Sequence, residues 1–348
     1  MSEKTSPLGN DLCDMPDYSL IDNPIPEPRQ SVFKAKPVKQ FMAEANREPI
    51  PRCLFDEFWR ENEVSILFSK SGVGKSALAV QIADAISYGK QINGFKMESD
   101  PQKVLYFDFE LTKKQFELRY SESNDFGSYN DYPFSDNLIR VEWDASMLPD
   151  DKIGDPEYLQ DEMLTTILEQ QSKVVIVDNI TYLKGTLEDA KDAISLVSWL
   201  KRISNEHKLS MLILAHTPKV RKYRIIQDTD LAGSAMLNNF VDGMFSIGLS
   251  QKDTSIRYLK NLKTRSSYSK YSFDKVAVCK YVKIDNFLQF VFDGVEAEKE
   301  HVPKFDNQWR DDLIIQAKEL ANSGMSQRDI GDKLNIAPST VNKYLKKG

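Results

Sequence analysis

A chain of 348 residues with 41% apolar and 28% charged side chains has room for one large folded domain or two modest ones. Its formal net charge of −6 excludes a global attraction to nucleic acid, so any DNA contact has to come from local patches. No apolar run approaches the roughly 18 residues of a membrane span, the N-terminus lacks the basic-then-apolar pattern of a signal peptide, and Cys13, Cys53 and Cys279 are too isolated for a zinc site, which points to a reducing, cytoplasmic setting.

Residues 1–50 are rich in proline and charge and are expected to form an extended or disordered arm, with one short helical patch at 37–45. From 51 to 297, short apolar runs alternate with helical segments. That pattern predicts an α/β domain with a mainly parallel sheet. The apolar run at 64–68 leads into Ser69-Lys70-Ser71-Gly72-Val73-Gly74-Lys75-Ser76 and then an amphipathic stretch at 77–86. Strand, glycine-containing loop and helix in that order are the context of a phosphate-binding P-loop. Ser71, Gly72, Val73, Gly74, Lys75, Ser76 and Ala77 are the expected nucleotide-binding set. Glycines let backbone N–H groups close on phosphate oxygens, and the helix N-terminus adds partial positive charge. Lys75 would reach the β and γ phosphates of ATP, and the Ser76 hydroxyl would ligate Mg²⁺. Ser69 stands where the motif has its first glycine, which is tolerable if its φ is below zero. The competing reading is a Gly/Ser turn before a core helix.

The next strand, 103–109, places Asp108 and Glu110 on one face if alternation continues. Glu110 then lies at the C-terminal edge, where ligands gather in open α/β sheets, as a candidate general base for an attacking water. It could instead be a surface carboxylate capping a helix that starts at Thr112, with Asp108 a buried support. The run 174–177 ends in Asp178, the form of a strand that holds Mg²⁺ through water opposite Ser76. Alone that signal is often just a strand end, but about 100 residues after a P-loop it is stronger. Asn179 follows, so this strand supplies no second acid.

A helix at 188–207 carries Ile194, Val197, Leu200 and Ile203 at spacings of three, ahead of a strand at 209–215. Its tip, His216, either senses the γ-phosphate or is an ordinary hydrogen-bonded strand-end histidine. Lys219, Arg221, Lys222 and Arg224, with Tyr223 among them, form a basic loop suited to phosphate contact and base stacking, or else a solvated loop. Strands are expected at 244–249 and 257–262, and a closing strand pair at 285–293. Between them Lys263 and Arg265 lie two apart at a strand end, a spacing that is weak in isolation but suits reaching the nucleotide of an adjacent subunit.

Residues 298–305 are expected to be a linker and 306–348 a compact helical module. Ser326 and Asp329 resemble a capping box, and Pro338 suits the first turn of the last helix. Ile330, Leu334, Ile336, Val341 and Leu345 would close a small core. The module resembles a helix-turn-helix. In that motif the second helix enters the major groove of duplex DNA, which makes Ser339, Thr340, Asn342 and Lys343 the candidate contacts. A protein–protein bundle with the same turn is the alternative.

With these pieces in order, residues 50–295 resemble the RecA-like P-loop ATPases, in the branch of plasmid RepA-type and DnaB-type hexameric helicases. The shared series is the P-loop at 69–76, Glu110, the 174–178 strand, His216, Gly233-Ser234-Ala235 with Asp242, and Lys263-Thr264-Arg265. The resemblance implies a RecA-like α/β core plus a small all-α module, ATP and Mg²⁺ as cofactors, and a homo-oligomer, in that family a hexamer. It also implies Glu110 as the water-activating acid, single-stranded DNA in a channel lined by the loop after His216, and Lys263 and Arg265 acting in trans. The chain carries no segment like the primase-interacting domain of chromosomal helicases, which favours a plasmid or mobile-element role.

Overall fold

The computed structural model describes residues 33–123, 129–180, 190–217, 223–231, 237, 239–265, 269–272, 274–303, 307–334 and 336–346. The chain divides into two units, Met1–Ile50 and Pro51–Gly348. In the first, α1 (Val38–Ala45) begins after Pro37 and buries none of its side chains. Most of the expected arm lies outside the described residues.

The second unit opens with a short hairpin, β1 (Cys53–Phe55) and β2 (Trp59–Arg60), followed by β3 (Val64–Ser69) and α2 (Lys75–Tyr88). Next come β4 (Val104–Asp108), α3 (Lys113–Arg119), a hairpin of β5 (Ser121–Ser123) and β6 (Tyr129–Asp131), and β7 (Leu138–Glu142). The series continues with α4 (Pro156–Gln170), β8 (Val174–Asp178), α5 (Ala190–His207), β9 (Ser210–His216) and β10 (Gly243–Leu249). Three long strands, β11 (Ile256–Thr264), β12 (Val276–Ile284) and β13 (Phe287–Glu296), precede the helices α6 (Asn307–Asn322), α7 (Gln327–Leu334) and α8 (Pro338–Leu345).

One nine-stranded sheet runs in the order β13-β12-β11-β10-β3-β9-β8-β4-β7. The strands from β10 to β7 are parallel, and β11, β12 and β13 extend the sheet in antiparallel fashion. This is the mixed α/β core with a mainly parallel sheet that the sequence predicts. Alternation sorts the side chains between two faces. Val174 and Ile176 pack on the side of α2, Val175 and Val177 on the side of α4 and α5. On α5, Val197, Leu200 and Ile203 are buried as their spacing predicts, while the side chain of Ile194 lies outside the described residues. Twelve of the fourteen residues of α2 are buried, because the sheet packs on one side and β13 on another. Gln81 seals the second contact, its amide exchanging hydrogen bonds with the Phe290 backbone at 3.0 and 2.8 Å.

The stretch 285–293, expected as a closing strand pair, holds a turn at Asp285 and Asn286, with left-handed φ of 47° and 65°, and most of β13, whose hairpin partner β12 precedes that stretch. Six strands lie outside the expected set: the short β1, β2, β5 and β6, and the longer β7 and β12. Arg140 and Glu142 break the apolar run of β7, which is an edge strand and half-buried, and Lys280 and Lys283 do the same in β12.

The linker expected at 298–305 needs correction at its start. A turn at Glu298–Glu300 buries Glu298 (1% exposed) and His301 (0%) within the sheet domain. Glu298 accepts from Lys260 Nζ at 2.5 Å and from the Ile226 N–H at 2.8 Å, so these charged residues serve as core partners. Among the described residues, no helix is long and apolar enough to cross a membrane.

Candidate active site and nucleic-acid interface

The C-terminal ends of four parallel strands assemble one cluster. Ser69 on β3 lies in register with His216 on β9, and Asp108 on β4 with Asp178 on β8. Ser69 is the last residue of its strand, outside the positive-φ region, and its Oγ donates to the Lys70 carbonyl at 2.9 Å. A glycine is therefore not required there. It is required at Gly72 and Gly74, whose φ values are 74° and 117°. Gly74 immediately precedes α2, so the loop delivers the chain straight onto a helix N-terminus.

Lys75 is buried, with Nζ 3.4 Å from the carbonyls of Ser69 and Lys70 and 3.0 Å from His216 Nδ1. Burial lowers its pKa, opposed by the charges of Asp178 and Glu110. An ammonium has only donors, so Nδ1 accepts and the imidazole proton resides on Nε2. That proton is donated to Glu110 Oε1 at 2.9 Å, and Asn179 Nδ2 donates to the same oxygen. The result is a chain from the P-loop lysine through His216 to Glu110. The hydrogen bond from His216 is the main reason Glu110 titrates below its ordinary value, against the effect of burial. It is a carboxylate at neutral pH, able to accept a proton.

Glu110 does not sit on a continued strand, as alternation predicted. β4 ends at Asp108, whose buried Oδ1 accepts the N–H groups of Glu110 (3.1 Å) and Leu111 (2.9 Å), turning the chain at that point. Arg140 on β7 closes the turn, bonding Asp108 Oδ2 at 2.9 Å and the Leu111 carbonyl at 2.6 Å. The cap of α3 is Thr112 itself, paired with Gln115, so Glu110 does not cap that helix. Asp108 is the buried support that was expected, whereas Arg140 and Asn179 are contributions the sequence did not reveal.

Asp178 is fully buried and accepts from Tyr106 Oη at 2.8 Å through Oδ2, while Oδ1 has no hydrogen-bond partner. Burial pushes its pKa up to about 6, with Ser76 and Tyr106 pulling it down. A buried carboxylate oxygen left without a partner beside a serine hydroxyl fits a hard divalent cation such as Mg²⁺.

Lys263 and Arg265 are not part of this cluster. Lys263 pairs with Met244 at the start of β10, and Met244 lies beside Ile66 of β3. From Ile66 to Ser69 the strand rises about 10 Å. The pair therefore occupies the opposite, N-terminal edge of the sheet. Arg265 bonds Asp242 Oδ1 at 3.4 Å and the Asn239 carbonyl at 2.7 Å, and its side chain remains 48% exposed.

Arg224, expected as a phosphate contact, instead pairs with the buried Asp230. A carboxylate six residues along the same loop outcompetes solvent for the guanidinium. Lys219, Arg221, Lys222 and Gly233-Ser234-Ala235 lie outside the described residues.

In the C-terminal module Leu313, Ala317, Ile330, Ile336, Val341 and Tyr344 form the core, with Leu334 and Leu345 packed on its margin. A Cβ on Gly331 would come within 2.7 Å of the Ile336 carbonyl, so the crossing of α7 and the turn needs glycine. Ser326 Oγ accepts the Asp329 N–H at 3.2 Å and donates to its carboxylate at 2.7 Å, and Pro338 stands in the first turn of α8. On α8, Ser339 and Lys343 are exposed and Thr340 and Asn342 half-buried, opposite the core residues Val341 and Tyr344.

A family model described as an AAA domain matches residues 27–222, more than half of the chain, and one described as a winged helix-turn-helix DNA-binding domain matches residues 315–347. No curated protein matches the chain. The chain belongs to the AAA domain family, as a P-loop ATPase of the DnaB- and RecA-like type with a C-terminal DNA-binding helix-turn-helix.

Proposed function

We propose that the chain hydrolyses ATP with Mg²⁺ and couples turnover to DNA as a hexameric, helicase- or translocase-like motor. Its expected setting is cytoplasmic, in replication or maintenance of a plasmid or other mobile element. The observation that carries the reading is the Lys75–His216–Glu110 chain beside the buried Asp178, in a polypeptide that ends in a DNA-binding module. Residues Ser71 to Ala77 hold the phosphates through backbone N–H groups and Lys75. Ser76 and Asp178 would hold Mg²⁺, which would supply charge neutralisation at the phosphates. Glu110 takes the proton from the water that attacks the γ-phosphorus, as the bond to the ADP oxygen breaks. His216 contacts both Lys75 and Glu110 and is placed to register whether a γ-phosphate is present. Lys263 and Arg265, at the far edge of the sheet, act on the nucleotide of a neighbouring subunit. Lys219, Arg221 and Lys222 contact single-stranded DNA, with Arg224 shaping the loop, and Ser339, Thr340, Asn342 and Lys343 contact duplex.

Glu110→Gln should retain ATP binding and lose turnover by about 10²–10⁴-fold. Normal hydrolysis by this variant sinks the base assignment. Purified protein whose ATP turnover ignores both single- and double-stranded DNA sinks the coupling.

A second reading, an ATP-switched DNA-binding regulator or initiation adaptor without unwinding, draws on the engagement of Glu110 by both His216 and Asn179, which keeps the carboxylate occupied. Strand displacement separates the two. A motor needs Glu110 for it, whereas a switch shows none and needs only binding through Lys75.

A further inference from the structure

Arg257 on β11 is 8% exposed, yet every hydrogen bond its guanidinium makes among the described residues goes to a backbone carbonyl and none to a carboxylate. Nε donates to Val73 at 3.0 Å, and Nη1 donates to Thr254 at 2.5 Å and Ile256 at 3.0 Å. The guanidinium carbon lies 5.3 Å from the centroid of the Tyr281 ring, which in turn packs 5.1 Å from Phe290. Burying a cation without a carboxylate is costly, and here burial lowers the guanidinium pKa. A residue needed only to fill this space would more cheaply be apolar.

The acceptor explains the placement. Val73 is inside the P-loop, and its carbonyl shares a planar trans peptide with the Gly74 N–H. In such a peptide C=O and N–H point in opposite directions. Pinning the Val73 carbonyl toward β11 therefore turns the Gly74 N–H away from β11, toward the mouth of the loop. The same wall limits Gly74 from the side: a Cβ there would lie 2.9 Å from Phe290 Cζ and 3.4 Å from Tyr281 Cε2. Strands outside the parallel core thus grip the P-loop at two successive residues.

We propose that Arg257 is a positioning residue for the phosphate cradle, setting affinity for a nucleoside triphosphate by fixing the Val73–Gly74 peptide. The proposal rests on the P-loop reading, and its failure is separable from failure of that reading. The full-length protein is titrated with a fluorescent ATP analogue, with thermal melting as the measure of folding and steady-state turnover measured alongside. Wild-type protein that binds no nucleotide sinks the P-loop reading itself. If wild type binds, Arg257→Met should weaken binding by about tenfold or more, with KM rising by a larger factor than kcat falls. Unchanged affinity overturns the proposal, as does a fall confined to kcat. Arg257→Lys keeps the charge but lacks a fork that reaches Val73 and the Thr254 and Ile256 carbonyls together. It should melt like wild type and still bind several-fold more weakly. Full affinity in the lysine variant overturns the positioning role, and that result decides the matter if the methionine variant fails to fold.

Discussion

The two edges of the parallel sheet treat charge differently. At the C-terminal edge Lys75, His216, Glu110 and Asp178 are drawn together, with one Asp178 oxygen unsatisfied and Glu110 depressed by its partner. At the N-terminal edge Asp242 is satisfied by the Val64 N–H at 2.9 Å, by Lys201 and by Arg265, whose side chain reaches solvent. One edge holds a hydrogen-bonded charge cluster with an unsatisfied buried oxygen, and the other holds a closed ion-pair network with an exposed cation. The difference follows from the βα crossovers: strand C-termini open into loops that converge on helix N-termini, while the opposite edge receives helix C-termini.

The largest effect should come from the first edge. Lys75→Ala is expected to weaken nucleotide binding by about 100-fold or more, since a buried charge-assisted contact is lost, and equilibrium titration with labelled ATP measures it. Retained affinity would mean the cluster is a structural one. At the second edge, Arg265→Ala should leave binding intact while turnover falls about 10³-fold, with recovery in mixed oligomers carrying intact Arg265 on neighbouring subunits. Unchanged turnover would reduce that edge to a surface ion pair. Asp242→Asn tests the network itself. It should cost about 1–3 kcal/mol by chemical denaturation, because it weakens the anchor of Val64 and Lys201, and should leave nucleotide affinity near wild type.

The smallest effect is one of pH. Glu110 titrates below its ordinary 4.5, with hydrogen bonding from His216 the leading cause. A depressed carboxyl stabilises the fold above its unfolded pKa, and that stability is lost as pH falls through the folded value. Glu110→Gln should therefore flatten the acid limb of the stability curve below the ordinary carboxyl range, read from thermal melts in a pH series. An unchanged acid limb would mean the His216 contact contributes nothing to stability.

Much of the first edge was legible. The runs that end in Ser69, Asp178 and His216 are buried on both faces, so their composition is nearly continuously apolar and each ends on a polar residue. Glu110 stands just beyond such a run, but strand alternation does not put it there, since β4 ends at Asp108. An Asp108 turn held by Arg140 carries it instead. Arg140 was invisible because β7 is an edge strand whose charged residues hide its periodicity. Arg257 was invisible for another reason: its partner is a backbone carbonyl 184 positions away, and no side-chain pattern encodes such a contact.

The sequence by itself determined the P-loop, the carboxylate that ends the buried 174–178 strand, the mainly parallel sheet and the helix-turn-helix. Each is written in local spacing: glycine positions, apolar period and cap residues. Only the tertiary structure decided which groups meet. It joined Lys75 to Glu110 through His216, put Lys263 and Arg265 on the far edge, buried Glu298 in a presumed linker and set Arg257 against the P-loop. Those outcomes depend on strand order and register, which bring distant residues within hydrogen-bond reach and which no local period specifies.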